Sequence, residues 1–260
     1  MPFAEHNGIR YYQFDIFPSA VKQAVFTGQG GVSPAPWSSL NVGGTVGDDA
    51  ARVNENRVRS FGALGRRLDS LFDVWQVHSA EAAFAEAPRG AGEEHKKADI
   101  IFTDRQEVTL YMRFADCVPI LLYDPARAVV GMAHAGWLGT VRGAAREAVL
   151  AMTRHYGSRP AEILAAIGPS IGPDHYEVGP EVVTQVQQTF GPTAVDLVER
   201  REGKAYLDLW RANRAQLEAS GVHQIEVSGV CTACHLEDWF SHRAERGRTG
   251  RFGALMSLPA

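Results

Sequence analysis

The sequence contains few cysteines, no excess of positive charge and no long hydrophobic segment. Its three cysteines are an odd number at irregular spacing, which argues against a disulfide framework and favours a reducing compartment. The formal net charge of −4 gives no electrostatic basis for nucleic-acid binding. No run approaches the roughly 20 apolar residues of a membrane span, and a signal peptide is not recognisable. We therefore expect a cytoplasmic protein that binds neither nucleic acid nor membranes.

The remaining composition is that of an ordinary globular protein. Hydrophobic residues make up 45% and charged residues 22% of 260 residues, which is enough for a substantial core. Internal repeats and low-complexity linkers are not evident, so we predict one domain over residues 1–260. The strand and helix patterns intermix without a strict βαβ order, which favours the α+β class. The predicted architecture is a layered sandwich with a mixed β-sheet core flanked by helices.

Hydrophobic periodicity and turn-forming residues predict the main elements. Asp48 and Asp49 suit the start of a helix, and Gly65 suits its end. Residues 34–47 before that helix form a long irregular loop, a feature that is often functional. Helices are expected at residues 50–64, 140–155, 180–190 and 209–219. Strands are expected within residues 9–26 and at residues 74–77, 98–102, 108–114, 118–123, 128–133, 163–167 and 225–230.

Three residues, His78, Cys117 and His134, form the strongest candidate site. His78 follows a short predicted strand, Cys117 lies between two apolar strands, and His134 precedes a glycine-containing turn. Two imidazoles and a thiolate are suitable donors for a tetrahedral zinc whose fourth position is open. Their separation in the chain is too large for a zinc finger, so strands and loops must bring them together. We predict that these three residues are both metal ligands and catalytic residues, and that zinc is favoured over copper.

Asp116, next to Cys117, has two open interpretations. As a neighbour of a metal ligand it could orient one of the histidines, although adjacent strand residues point to opposite faces. The alternative is a salt bridge to Arg113 or Arg142.

A second motif, Cys231-Thr232-Ala233-Cys234-His235, matches both a haem-attachment pattern and a CxxC pair. Haem attachment requires export, for which no signal is present. A single CxxC also lacks the second pair of ligands that a structural zinc needs. We interpret the motif as a chance match, with the alternative that its thiols line the active-site pocket.

Many short segments, in the same order, resemble one family along nearly the whole chain. They lie at residues 30–33, 39–43, 47–49, 55–57, 76–78, 115–117, 134–137, 167–169, 176–179, 208–209, 212–213, 231–232, 241–243 and 249–251. The chain resembles the YfiH-like purine nucleoside phosphorylases, long described as laccase-domain or multicopper polyphenol oxidase proteins. The resemblance implies a zinc site at the two histidines and the cysteine named above. It also implies phosphorolysis of adenosine, inosine, guanosine and S-methyl-5′-thioadenosine, with adenosine deamination as a second activity.

Departures from the family pattern concern the phosphate site. The family usually has arginine where this chain has Gly28 and Leu138, and arginine is the favoured bidentate partner of phosphate. Arg142 or Arg243 could compensate, and with Asn41 they are the expected substrate-binding residues for purine nucleosides and phosphate. Two further departures are Ser170, in place of cysteine, and His242, in place of tyrosine.

Three alternative functions are kept. In a metal-free hydrolase, such as one that edits cell-wall precursors, Cys117 would be the nucleophile and His134 or His78 the base. A copper-binding polyphenol oxidase is less favoured, because multicopper enzymes need more paired histidines than this chain arranges. A non-catalytic nucleoside-binding module would bind without turnover. The sequence does not define the oligomeric state, the general acid or the physiological substrate.

Overall fold

The computed structural model describes residues 2–259 of the chain. The α-helices are α1 (Ala50–Ala63), α2 (Trp137–Val141), α3 (Ala144–Tyr156), α4 (Pro180–Phe190) and α5 (Leu209–Ala219). The β-strands are β1 (Phe3–His6), β2 (Ile9–Tyr12), β3 (Lys22–Phe26), β4 (Leu71–Phe72), β5 (Ala82–Phe84), β6 (Ile100–Thr103), β7 (Thr109–Phe114), β8 (Val118–Asp124), β9 (Val129–Ala135), β10 (Leu164–Ile167), β11 (Glu177–Val178), β12 (Val198–Arg201), β13 (Lys204–Leu207), β14 (Gln224–Val227) and β15 (Phe252–Ser257).

Most strands belong to two six-stranded sheets. The first has the order β1-β2-β3-β15-β7-β4 and the second the order β14-β10-β8-β9-β6-β5. Both are mixed, since β4 pairs with β7 in parallel while β15 pairs with β7 antiparallel, and β5 and β14 are the parallel edge strands of the second sheet. A small antiparallel sheet, β11-β13-β12, completes the structure. The α+β class and the layered, mixed-sheet architecture are confirmed.

The two large sheets pack face to face, and helices cover their outer faces. Met112 and Met256 of the first sheet lie in one buried cluster with Leu121 and Met132 of the second. The outer face of the second sheet packs on α3, α4 and α5, and that of the first sheet packs on α1. Because both faces of β8 and β9 are covered, all fourteen of their residues are buried and the strands are almost continuously apolar.

Three predicted elements differ from the observed ones. Residues 74–77 form only an isolated parallel bridge, between Trp75 and Lys97, because the Val77 N–H is bonded to the Asp99 carboxylate and does not continue the pairing. The predicted helix at 140–155 is two helices, separated at Gly143, whose φ of 82° is left-handed. The strand predicted at 225–230 ends at Val227, ahead of Gly229, which also has positive φ.

The helix start predicted at Asp49 is confirmed by its hydrogen bonds. Its carboxylate accepts the N–H groups of Ala51 and Arg52 at 2.9 and 3.2 Å, which satisfies two of the free donors of the first turn of α1. No helix within residues 2–259 has the length and apolar character needed to cross a membrane.

Candidate metal centre and cavity

His134 is held rigidly at the end of a central strand. It lies in β9 opposite Pro119 of β8, and its side chain is buried. Its Nδ1 is 2.8 Å from Oδ1 of Asp99, and its backbone N–H donates to the Asp99 carbonyl oxygen at 2.8 Å. A carboxylate on Nδ1 assigns the proton to that nitrogen and leaves Nε2 free to bind a metal.

Cys117 lies in the tight connection between β7 and β8. The preceding residue, Asp116, has a φ of 79°, a left-handed conformation that turns the chain sharply at this point. Gly136 follows β9 and faces the thiol, and a Cβ added there would lie 2.7 Å from the Cys117 Sγ. Glycine is therefore required at position 136 to leave room for the sulfur.

His78 is positioned by its neighbours in the connection between β4 and β5. Its own φ is 58°, which is uncommon for a residue other than glycine. On either side of it, the N–H groups of Val77 and Ser79 donate to Oδ2 of Asp99 at 3.0 and 2.6 Å. Arg142 donates to the His78 carbonyl oxygen at 2.8 Å. These hydrogen bonds offset the energetic cost of the left-handed conformation of His78.

The structure brings the three predicted ligands together. The donor atoms of His78, Cys117 and His134 all lie within 4.8 Å of one another, and the Cys117 Sγ is 3.9 Å from Nε2 of His78. A tetrahedral zinc with ligand distances of about 2.0–2.3 Å requires neighbouring donors somewhat under 4 Å apart. The donor set and its spacing therefore fit a zinc ion with one open position facing the cavity.

Asp99 links both histidines and was missed in the sequence interpretation. It is fully buried, and one carboxylate oxygen binds His134 while the other accepts three donors from Val77 and Ser79. The signal for it in the sequence is a single acidic residue inside the apolar run 98–102. A buried charge in such a run needs several partners, although the sequence does not say which ones.

The charges of the metal-free site are strongly coupled. Burial alone would raise the pKa of Asp99, but hydrogen bonds from His134 and Ser79 lower it to about 2. Burial would lower the pKa of His134, yet Cys117 and Asp99 raise it to about 9. Burial would raise the pKa of Cys117, and the two imidazoles of His134 and His78 instead lower it to about 6. At neutral pH the site therefore contains a carboxylate, an imidazolium and a thiolate.

The triad opens onto a cavity of about 690 Å³, a volume typical of small-molecule sites. Aromatic side chains of Trp75, Trp137 and Tyr176 contribute to its wall. Trp75 is 48% exposed, although large aromatic side chains are highly buried on average. The cavity therefore offers flat apolar surfaces close to the metal ligands.

Four arginines line the same cavity: Arg57, Arg113, Arg243 and Arg251. Arg113 is paired with Asp73 at 3.4 Å. Within residues 2–259 the other three form no ion pair with a carboxylate and donate instead to backbone carbonyl oxygens. Guanidinium groups without a carboxylate partner favour an anionic ligand. Arg57 and Arg251 lie in segments that carry the family resemblance, but nothing in the neighbouring sequence predicted that they line the cavity.

Asn41 lies behind the cavity wall. It is fully buried, and its Oδ1 accepts the backbone N–H groups of Gly43 and Arg251 at 3.0 and 2.9 Å. Gly43 is in close contact with the Arg251 side chain, since a Cβ added at position 43 would lie 2.7 Å from the Cγ of Arg251. Asn41 therefore shapes the loop and the arginine that line the cavity, without lining it itself.

Of the two arginines expected to bind phosphate, Arg243 lines the cavity, and Arg142 lines a separate surface depression beside α3. Gly28 and Leu138, where the family usually has arginine, do not line the cavity either. A side chain at position 28 would point toward the ring of Phe240. The cations that face the metal site are therefore supplied by other positions.

Both sequence interpretations of Asp116 are wrong. Its Oδ1 accepts the Thr232 hydroxyl at 2.7 Å, and its Oδ2 accepts the backbone N–H of Arg243 at 2.6 Å. It binds neither a histidine nor the guanidinium of Arg113 or Arg142. Asp116 instead ties the turn that carries Cys117 to the segments that contain Thr232 and Arg243.

The α+β fold and the candidate His₂Cys metal site beside a small-molecule cavity define the class of protein with which known proteins can be compared. The chain belongs to the family described as multi-copper polyphenol oxidoreductase laccase, whose model matches residues 22–259. It is 41% identical to a purine nucleoside phosphorylase of Deinococcus radiodurans over 92% of this chain and 90% of that protein. It is 37% identical to adenosine deaminase RL5 of an unknown prokaryotic organism, over 83% and 85% of the two chains.

A solved structure shares the whole fold. The crystal structure of the Bacillus licheniformis hypothetical protein YfiH superposes with a TM-score of 0.92 and 34% identity, covering 99% of both chains. The predicted membership of the YfiH-like family is therefore confirmed.

Proposed function

We propose that this protein is a zinc-dependent purine nucleoside phosphorylase with adenosine deaminase activity. Its substrates would be adenosine, inosine, guanosine and S-methyl-5′-thioadenosine, and residues 1–260 would form one catalytic domain that acts in the cytoplasm. The main support is the position of the three donor atoms of His78, Cys117 and His134 in a cavity that also contains arginines without carboxylate partners. Relatives named purine nucleoside phosphorylase and adenosine deaminase support the same activities.

The cavity residues have distinct roles in this proposal. Zinc held by the triad would supply Lewis-acid chemistry and lower the pKa of a water molecule. Trp75 and Tyr176 would contact the purine ring. Arg243 and Arg251 would hold phosphate so that one of its oxygens bonds to the ribose C1′ while the bond from C1′ to the purine nitrogen breaks. The departing purine keeps the electron pair of that bond and takes up the proton that the phosphate releases. In deamination, water would add its oxygen to C6 and ammonia would leave.

The test is a nucleoside panel with zinc-loaded protein, with and without phosphate. Free base and ribose 1-phosphate should form only with phosphate, and inosine should form from adenosine without it. Metal analysis of the purified protein should show zinc and not copper at the triad. Binding of nucleosides with neither reaction would favour the binding-module alternative, and oxidation of polyphenols by copper-loaded protein would favour the oxidase.

One observation favours the metal-free cysteine hydrolase as a second candidate. The carboxylate of Asp99 binds Nδ1 of His134, and the Cys117 Sγ lies within 4.8 Å of a His134 ring nitrogen, in the order of an acid–base–nucleophile triad. The pKa of Cys117 is also lowered to about 6. A low thiol pKa produces a reactive thiolate at neutral pH. Removal of metal separates the candidates, because chelation should abolish the proposed phosphorylase and leave a cysteine hydrolase active.

Zinc binding at pH 7 is expected to release about one proton. His134 must be unprotonated to bind metal, yet its pKa in the metal-free protein is about 9, whereas that of Cys117 is about 6. Zinc affinity should therefore rise about tenfold per pH unit from pH 7 toward 9 and then level off, and it should fall more steeply below pH 6. Calorimetry in buffers of different ionisation enthalpy measures the proton. Binding without proton release at pH 7 would contradict this charge assignment.

Arg243→Ala is expected to raise the phosphate KM at least about tenfold, because one charge-assisted bidentate contact is lost. Deamination of adenosine, which uses water, should change less than about threefold. Arg248→Ala is the matched control, since it removes the same charge from an exposed position outside the cavity. An equal loss of both reactions would show that Arg243 either binds the nucleoside or stabilises the fold. Unchanged phosphate saturation would transfer the role to Arg57 or Arg251.

A further inference from the structure

A second cluster of metal-binding side chains lies outside the cavity. Asp174 and His175 lie in the turn between β10 and β11, and Cys231 and Cys234 lie in the segment after β14. Their donor atoms are all within 4.8 Å of one another. None of the four lines the cavity, so the alternative that the two thiols line the active-site pocket is wrong.

The distances match those between ligands of a single tetrahedral ion. His175 Nδ1 lies 3.8 Å from the Cys231 Sγ and 3.5 Å from the Cys234 Sγ. Asp174 Oδ2 lies 3.5 Å from the Cys234 Sγ and 3.2 Å from His175 Nδ1. Around zinc, with sulfur at about 2.3 Å and nitrogen or oxygen at about 2.0–2.1 Å, tetrahedral angles place sulfur about 3.6 Å from nitrogen or oxygen. The same geometry places nitrogen about 3.4 Å from oxygen.

The backbone around the cluster also suits a thiolate site. The Gly172 N–H donates to the Cys231 Sγ at 3.2 Å, and such outer hydrogen bonds orient metal ligands. A Cβ at position 172 would lie 2.7 Å from Asp174 Oδ1 and 3.1 Å from the Cys231 Cβ. Glycine therefore allows the turn to approach Cys231 closely enough for the donors to meet.

We propose that Asp174, His175, Cys231 and Cys234 bind a structural zinc ion, separate from the ion proposed for the cavity. Two thiolates, one imidazole and one carboxylate complete a tetrahedron, and a closed shell is typical of structural sites. The second pair of ligands that the CxxC motif lacked in the sequence is supplied by residues more than fifty positions upstream. This inference does not depend on the enzymatic activity proposed above.

The ion would join two segments that shape the cavity. Tyr176, directly after His175, lines the cavity, and the Arg243 guanidinium lies 4.9 Å from the centre of its ring. Thr232, directly after Cys231, donates its hydroxyl to Asp116 at 2.7 Å. The second zinc would therefore fix the segment that places Tyr176 in the cavity wall, and its loss should loosen that segment while the triad keeps its own metal.

Zinc content per chain tests the proposal, measured by mass spectrometry on protein purified with reductant and without chelator. His175→Ala combined with Cys234→Ser should remove about one zinc relative to the parent protein, and the same loss should occur in the Cys117→Ser background. His235→Ala is the matched control, since this exposed histidine adjoins Cys234 and pairs with Glu237. It should retain the parent zinc content.

Cobalt substitution gives a second readout. In the Cys117→Ser background, cobalt at the second site should still produce a thiolate charge-transfer absorption, and that absorption should disappear when His175 and Cys234 are replaced as well. If the cavity site holds no metal, the parent carries one zinc and not two, and the His175 and Cys234 substitutions should still remove it. Unchanged zinc in that double variant would overturn the proposal, as would a Cys231–Cys234 disulfide in reductant-treated protein.

Discussion

Cys117→Ser is expected to lose most of the zinc of the cavity site and to reduce both phosphorolysis and deamination by at least about 1000-fold. A serine hydroxyl is a much weaker zinc ligand than a thiolate, and only two histidines would remain at the site. Loss of the metal removes several kcal/mol of transition-state stabilisation, and each 1.36 kcal/mol is about tenfold in rate. Steady-state kinetics with metal analysis on the same samples measure both effects.

The control for this variant is the unmodified protein after chelation. Its activity should disappear and return when zinc is added back, whereas added zinc should not restore Cys117→Ser. Circular dichroism and the melting temperature establish that the variant is folded, which we expect because Cys117 lies in a connection outside the sheets. Full zinc retention in Cys117→Ser, counted separately from the second cluster, would remove Cys117 from the site.

Asp99→Asn is expected to weaken zinc binding about 10–100-fold, the usual effect of losing a group that orients a ligand. One carboxylate oxygen binds the His134 imidazole and the other accepts N–H groups on both sides of His78. Asparagine has one oxygen and one amide nitrogen. The amide nitrogen is a donor, so it would face either the His134 N–H or the N–H groups of Val77 and Ser79, and those hydrogen bonds would be lost. Each buried unpaired group costs about 1–3 kcal/mol, so the stability of the fold should also decrease. Excess zinc should restore much of the activity, in contrast to Cys117→Ser.

Asp124→Asn is the matched control for Asp99→Asn. Asp124 is a fully buried aspartate in β8, which belongs to the same sheet as the strand β6 that follows Asp99. Its Oδ1 accepts two backbone N–H groups, while its Oδ2 has no hydrogen-bond partner among the described residues. An asparagine there can keep both bonds, so zinc affinity should be unchanged. A similar loss of zinc in both variants would show that Asp99 acts through general stability and not through the histidines.

Local patterns in the sequence predicted many helices and strands. The periodic helices at α1, α4 and α5 lie close to their predicted positions, because capping residues and amphipathic spacing act locally. The strand predicted at 74–77 is reduced to a single bridge at Trp75, because the Val77 N–H bonds to the side chain of Asp99, 22 residues further along the chain. The edge strands β4, β5 and β11, of two or three residues each, are too short to show a period of their own. Their pairing depends on neighbours that the sequence does not reveal.

The α+β class, the family and the donor types at His78, Cys117 and His134 could all be predicted before the fold was known. These follow from composition, local periodicity and motif order, which can be read along one chain. The tertiary structure decided which residues share a site: Asp99 between the two histidines, the cavity arginines, and the pairing of Asp174 and His175 with the CxxC motif. The physical reason is that hydrogen bonds, charge interactions and metal coordination act over a few ångströms in space. Residues separated by many positions in the chain meet at that range only after the two sheets have packed.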